Sequence, residues 1–511
     1  MMAQRALGFK YEQEPRDIGM TALGGLPLYL DLAHGLGLAA SADKHLSVRT
    51  KNGQGWTDGQ MVMALVLLNL AGGDSVDDIR ILENDEGFGR ILRKVEKTGM
   101  NRKARRQLAR RWRKGRNRSF PLPSAIFRYL AAFHDPGQET QRVQGKAFIP
   151  APNKHLRGFM KMMKEFLSFL QQNRPQKRAT LDMDATLAET TKLEALYCYK
   201  GFKSYQPLNT WWAEQDVIVH TEFRDGNVPA GFEQKRVLAQ ALDCLPASVE
   251  EVQVRSDTAG YQHDLLRYCE MGENERFGRI EFAIGCDVTP EFKKAVSGVP
   301  ESDWHPFMKR VNGREIETGK QWAEVCFVPN AIGHSKNGPA YRYLATREVL
   351  QEQMNFPGME EAPKQLPFPS MPFSHKRYKV FGIVTNMDGD GNDLIGWLHQ
   401  RCGKSEAAHS VMKQDLAGGT MPSKDYGENA AWWWLMILSL NLNAALKHLA
   451  LDASWASRRM KAIRFGLINI AARVMEQSRY LKVRLCRGHG LFRWFTAIRI
   501  RIALLKPAPP G

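Results

Sequence analysis

Paired cysteine chemistry is missing from this chain. The seven cysteines (Cys198, Cys244, Cys269, Cys286, Cys326, Cys402 and Cys486) are scattered, with no CxxC and no Cys/His pair at metal-binding spacing. That scatter and the odd count exclude a disulfide framework and a zinc site, and they point to a reducing compartment. The first residues, MMAQRALGFKYEQEPRD, lack the apolar stretch of a signal peptide, and the strongest apolar run, Ala430 to Leu438, is too short to span a bilayer. The expectation is a soluble cytoplasmic protein with no membrane partner. No internal repeat is apparent, which sets aside solenoids and propellers.

Acidic residues are scarce in two particular places. Between Arg102 and Arg118 there are ten Lys/Arg and no acid, and from Leu451 onward there are thirteen against Asp452 and Glu476. These segments carry +10 and +11, so the rest of the 511-residue chain sums to −3 against a total of +18. A slightly acidic body with two basic arms suits a polyanionic partner, with the arms holding phosphate. Most charge runs are merely solvated helical faces, but two blocks this concentrated favour nucleic acid. With 43% hydrophobic and 25% charged residues, disorder is not the expectation, and the length fits two to four domains.

Up to about residue 165 the pattern is helical: LPLYLDLAHGLGL, then a cap at Thr57 or Asp58 leading into GQMVMALVLLNL, then VDDIRILENDEGF. The basic run follows, and SFPLPSAIFRYLAAFHD then offers Ser124 as the cap of a further helix. This arrangement fits a helix-turn-helix or a helical bundle with a basic surface. From Arg178 the period becomes that of strands. RATLDMDA, LNTWWAEQ and DVIVHTEFR are followed by a helix over 232–245, the strand VEEVQVRSD, the short helix HDLLRYCE and the strand RIEFAIGCDV. Three strands, a helix, a strand, a helix and a strand is the order of the RNase H-like fold. After Val288 a mixed insertion is expected, then the strand YKVFGIVTN and a long helix from about Asp393 to Leu416. The aromatic helix ENAAWWWLMILSLNLNAALKHLA precedes the basic C-terminal arm.

Three carboxylates stand out in this layout. Asp184 in TLDMDAT and Asp257 after EEVQVRS end apolar strands, and Glu406 in RCGKSEAAHSVMK lies on a helix. Hard divalent cations take oxygen ligands, and two ions roughly 3.5–4 Å apart can activate an attacking oxygen and stabilise a leaving one. The trio therefore points to two Mg²⁺ or Mn²⁺ ions and to metal-dependent cutting and joining of DNA. Asp182 competes with Asp184, because strand residues two apart face the same side. Glu428 rivals Glu406, and Lys413 shares a helical face with Glu406 by its i, i+7 spacing. MDGDGND has alternating acids but no twelfth-position Glu, so Asp388, Asp390 and Asn392 are expected to form a turn and a helix cap. Trp432, Trp433 and Trp434 are expected in the core. Trp304 and Trp322 have a core reading too, against contact with a flipped base.

The Asp in DMDAT, the Asp in VRSDTAGY and a late helix with Glu, six residues and Lys together resemble the DDE transposases of bacterial insertion sequences. The likeness is to the cut-and-paste group with a Tyr-Arg-Glu-Lys signature and a β-rich insertion. ALGFKYEQEPRD, GWTDGQMV, LNLAGGDSVDD and RGHGLF extend it over nearly the whole chain. The signature departs at two places: His399 stands at the Tyr position, and Cys402 at the Arg position, with Arg401 beside it and Lys404 two further on. The resemblance favours Asp184 over Asp182, since its motif places the Asp two before a Thr, here Thr186.

It implies an α/β protein with an RNase H-like catalytic core, flanked by a helical N-terminal region and a basic helical C-terminal arm. The expected division is 1–165 for DNA binding, 178–298 and 378–450 for the two parts of the core, 299–377 for the insertion and 451–511 for the arm. Asp184, Asp257 and Glu406 are then the catalytic and metal-binding set. Lys413, Arg401, Lys404, Arg105, Arg106, Arg110, Arg111 and Arg113 are the DNA-binding set. The implied activity is cleavage at terminal inverted repeats and strand transfer into target DNA by a homodimer on double-stranded DNA, associated with the nucleoid when bound. The competing readings are a structure-specific nuclease that does not join, and a non-catalytic DNA-binding regulator.

Overall fold

The computed structural model describes residues 18–49, 55–111, 118–311, 313–329, 339, 341–350, 369–373, 376–477 and 480–507. Its centre is a ten-stranded mixed sheet. The strands are β1 (Arg178–Ala185), β2 (Leu208–Trp212), β3 (Val217–Glu222), β4 (Glu251–Ser256) and β5 (Glu281–Cys286), then β6 (His305–Val311), β7 (Arg314–Glu324), β8 (Arg342–Val349), β9 (Ser370–Phe373) and β10 (Lys376–Thr385). They lie in the order β3-β2-β1-β4-β5-β10-β8-β7-β6, with β9 paired to β10. β1, β4 and β5 run parallel, and β2 is antiparallel to both β1 and β3. The stretch expected as an insertion thus supplies β6 to β9, which extend the sheet beyond β10 by antiparallel pairing.

Continuous apolar runs explain why the first five strands sit in the middle. Val252, Val254, Phe282 and Ile284 are fully or almost fully buried, as expected for parallel strands covered on both faces. One cover is α3 (Tyr426–Leu449), introduced after α1 (Asp58–Ala71) and α2 (Lys154–Asn173). Trp432 and Trp433 are fully buried and Trp434 nearly so, in agreement with the core reading. Trp433 Nε1 donates to Thr221 Oγ1 of β3 at 2.9 Å, and Trp432 Nε1 donates to the Ala417 carbonyl at 2.9 Å. α1 begins at a capping box, where Thr57 Oγ1 accepts from Gln60 N and Gln60 Oε1 accepts from Thr57 N. It is apolar on all sides because α3 and neighbouring helices enclose it. No single helix among the described residues is long and apolar enough to cross a membrane; only a pair bent by 96°, α1 with Val76–Asn84, has that composition.

Asn441 of α3 replaces a missing neighbour strand. Its Oδ1 accepts from Ile218 N at 2.9 Å and its Nδ2 donates to Ile218 O at 2.8 Å, next to the irregular pairing of β2 and β3. Asn441→Leu leaves both backbone groups buried without partners. It is expected to lower the unfolding free energy by about 2–4 kcal/mol, read by denaturant titration.

Three local expectations are corrected. The helix expected from Asp393 to Leu416 is two helices, α4 (Gly391–His399) and α5 (Lys404–Ser410), followed by a wider π turn over Val411–Asp415. The break falls at Gly403, whose φ of +79° no helix interior tolerates. Asp390 caps α4 through Asn392 N and Asp393 N, as the MDGDGND reading expected. Ser124 caps nothing: Pro123 takes the first helical position and Leu122 the cap position. The C-terminal segment is not a helical arm. After Met460–Ile463 it forms a hairpin of Ala472–Gln477 and Tyr480–Arg484, paired to Met20–Thr21, before a last helix over Leu491–Ala503. The hairpin forms because Ala472 and Val474 alternate with exposed residues and are buried, a strand period that the dense basic residues mask.

Candidate active site

Parallel pairing of β1 and β4 brings the first two acids together. Asp182 stands opposite Arg255 and Met183 opposite Ser256, so Asp184 and Asp257 follow at the same end of adjacent strands. Both line one cleft of about 580 Å³. Asp257 caps the short turn Thr258–Gly260, its Oδ1 accepting from Ala259 N at 3.1 Å, which fixes the carboxylate. Glu406 arrives from the first turn of α5, where one of its oxygens accepts from Gly403 N at 2.5 Å. Burial pushes the Asp184 carboxyl up to about 6; Arg401 pulls against it, and the charges of Asp257 and Glu406 push it further up. Asp184 therefore feels the charge of both other carboxylates.

Register and charge separate the competing first acids. Asp182 is buried and takes a bidentate pair from Arg255, with Nε to Oδ1 at 2.6 Å and Nη2 to Oδ2 at 2.8 Å. Arg255 also donates to the Trp397 carbonyl at 2.7 Å and stacks over its ring, tying β4 to α4. Asp184 instead faces the cleft with one ion-pair partner, Arg401, at 3.2 Å. Glu428 lies elsewhere, near the start of α3, where burial raises its carboxyl and its neighbours are Ser423, Asp425 and His134.

The other expected residues take varied places. Lys413 Nζ donates to the Leu187 carbonyl at 3.1 Å, holding the chain just as it leaves β1. Burial, then the nearby Lys200, hold its ammonium below the ordinary lysine range. Arg401 is buried as the counter-charge of Asp184, whereas Lys404 is exposed at the rim of a second cleft of about 540 Å³. Arg105 and Arg106 are exposed on the helix Arg102–Arg111. Arg110 and Arg111 belong to that helix by backbone, their side chains lying outside the description, and Arg113 is outside the described residues. His399 packs edge-to-face on Phe307 with centroids 5.6 Å apart, and Cys402 is exposed. Trp304 and Trp322 are both buried, which agrees with their core reading.

Two groups escaped the sequence reading. Ser405 stands beside Asp184 and favours its charged form. His409, one turn beyond Glu406, has its imidazolium disfavoured by burial and by Lys413, down to about 4, so it is neutral near pH 7. Its i, i+3 spacing from Glu406 was the available signal. Arg174, Lys447, Arg458 and Arg459 line the second cleft together with Asp182 and Asp184, giving a basic approach to the acids.

Carboxylate oxygens are the right donors for a hard divalent cation, and a cation would relieve the repulsion that raises Asp184. Among the described residues, however, no three His, Cys, Asp or Glu side chains are already drawn close enough to hold one. The set fits such an ion in donor type and charge.

A family model described as Transposase DDE domain group 1 matches residues 18–347 and 370–507. No curated protein matches. Among solved structures, a piggyBac transposase, imaged by cryo-EM as a synaptic complex with hairpin DNA, is similar at 10% identity and a TM-score of 0.39, over 87% of this chain and 79% of that one. That likeness is too distant to argue from, but the family match spans most of the sequence: the chain belongs to the family Transposase DDE domain group 1.

Proposed function

We propose that this transposase cuts DNA at the terminal inverted repeats of its own element and joins the freed 3′-hydroxyl to target DNA. The observation that supports the reading is that Asp184 and Asp257 follow at the same end of the adjacent parallel strands β1 and β4, with the charge of Glu406 reaching Asp184. The strand order β3-β2-β1-β4-β5, with β2 alone reversed among the five, supports an RNase H-like core. Asp184, Asp257 and Glu406 would hold two Mg²⁺ or Mn²⁺ ions. Such ions supply activation of the attacking oxygen and neutralisation of the leaving one. The chain's own part is to position the carboxylates: Gly403 N and Ala259 N fix Glu406 and Asp257, and Arg401 pairs with Asp184.

Lys404, Arg105, Arg106, Arg110, Arg111 and Arg113 would hold phosphates on either side of the cut, with Lys413 and Arg401 setting the charge beside it. Processing two ends together calls for a homodimer on DNA, acting in the cytoplasm at the nucleoid. The division into a DNA-binding region (1–165), a two-part core (178–298 and 378–450), an insertion (299–377) and a C-terminal segment (451–511) follows the same reading. Pre-cut ends incubated with supercoiled plasmid and Mg²⁺ are expected to give nicked and linear plasmid carrying the labelled end. Hydrolysis of uncut ends without such joint product would make the protein a nuclease. Binding with neither would make it a regulator.

A further inference from the structure

The chain makes an excursion directly from the acidic end of β1. After Asp184 it runs through the small ladder Ala188–Glu189 with Ser204–Tyr205 before entering β2, and the tip between them carries Tyr197, Tyr199, Lys192, Lys200 and Lys203. The tip backbone is fixed. Gln144 Nε2 donates to the Tyr197 carbonyl at 3.0 Å, and Gln144 Oε1 accepts from Tyr197 N at 2.8 Å. Arg142, itself buried in a bidentate pair with Asp225, donates to the Glu194 carbonyl at 3.0 Å. Lys192 Nζ donates to the Pro422 carbonyl at 3.3 Å.

On this held backbone two aromatic rings stand in solvent. Tyr197 is 51% exposed and Tyr199 77% exposed, and both line the cleft of about 580 Å³ that contains Asp184 and Asp257. The fold leaves both rings uncovered on the cleft that holds the two acids. Each ring has a lysine over it: Lys203 Nζ is 5.7 Å from the Tyr197 centroid and Lys200 Nζ 5.7 Å from the Tyr199 centroid. Neither lysine has a carboxylate partner among the described residues; Lys203 Nζ donates to the Leu193 carbonyl at 2.5 Å, and Lys200 bears on Lys413. Two exposed rings, each with a cation beside it, next to the cleft of Asp184 and Asp257 offer a single strand both π-faces for its bases and positive charge for its phosphates.

We propose that Tyr197 and Tyr199 form a stacking platform for unpaired bases of the DNA strand lying in the acidic cleft, with Lys200 and Lys203 on its phosphates. This rests on DNA being the substrate. It also places base stacking on the excursion after β1, since Trp304 and Trp322 are buried.

The test is fluorescence anisotropy in EDTA with the full chain and two labelled probes, an oligothymidylate and a blunt duplex of equal phosphate count. The variants are Tyr197→Ala with Tyr199→Ala, and Tyr197→Phe with Tyr199→Phe. The alanine pair is expected to weaken oligothymidylate binding by about tenfold or more per ring, to leave duplex binding within about twofold, and the phenylalanine pair to match the wild type. Unchanged oligothymidylate binding by the alanine pair overturns the inference. An equal loss in the phenylalanine pair, or an equal loss on duplex, overturns it as well. A wild type that cuts element ends while the alanine pair still holds oligothymidylate refutes only the platform. A wild type that binds neither probe refutes the DNA reading itself.

Discussion

Removing the charge of Asp184, Asp257 or Glu406, one at a time, is expected to reduce strand cleavage by at least about a hundredfold, while binding to the element ends survives. Neutral isosteres make the cleaner variants. Asp257→Asn keeps an acceptor for Ala259 N and Glu406→Gln one for Gly403 N, so each turn stays capped and a loss of cleavage cannot be ascribed to a lost cap of about 1 kcal/mol. Binding persists because the concentrated positive charge lies in segments 102–118 and 451–511, away from the acids in sequence. Glu428→Ala is the control and is expected to keep cleavage, since its neighbours are Ser423, Asp425 and His134. Cleavage of labelled ends in Mg²⁺ or Mn²⁺, beside anisotropy on the same DNA, reads both quantities. Cleavage undiminished in all three carboxylate variants would remove the trio from the chemistry.

How far the sequence could lead depended on whether the deciding contact was local. The first five strands were readable because each is an apolar run with polar stops, and the two acids fall at run ends. α3 was readable because apolar and aromatic residues fill its whole circumference. The capping box at Thr57 and Gln60 is legible three residues apart. The break between α4 and α5 was not: Gly403 inside a helical pattern is usually a tolerated interior glycine, and the pull of Asp184 on neighbouring Arg401 acts across the fold. The C-terminal hairpin was hidden because thirteen Lys/Arg from Leu451 onward dominate any window, while its partners, the strand Met20–Thr21 and the helix Glu86–Glu96, are distant in sequence. Nothing local tells β6 to β9 that they join the central sheet. Nor could spacing separate Asp182 from Asp184, which share a face; the register that sets Arg255 opposite Asp182 gives the two acids different partners.

That register predicts opposite stability effects for two aspartates two residues apart. Asp184→Asn is expected to stabilise the metal-free protein and Asp182→Asn to destabilise it. The Asp184 carboxyl is raised from 3.8 to about 6 in the fold, chiefly by burial, so folding takes up a proton between those values. Below about pH 4 the group is protonated folded or unfolded and contributes nothing. As pH rises through 6 the folded state must hold a charge it disfavours, at a cost on the order of 3 kcal/mol. The Asn variant escapes that cost, so its thermal midpoint should pull ahead of wild type by a few degrees between pH 4 and 6 and stay ahead at pH 7–8. Adding Mg²⁺ should narrow the gap by stabilising the wild type only. Asp182 is the reverse case. Burial also raises its carboxyl, with Arg255 pulling the other way, so the pair is a poor source of net stability. Removing Asp182 is nonetheless expensive, because Arg255 loses both bonds of a bidentate pair and stays buried, at about 3–5 kcal/mol. Asp184→Asn, by contrast, takes from Arg401 only a single contact at 3.2 Å. Thermal and urea unfolding across pH 4–8 measure both variants. A destabilised Asp184→Asn beside an unaffected Asp182→Asn would exchange their roles and make Asp182 the residue that faces the reaction.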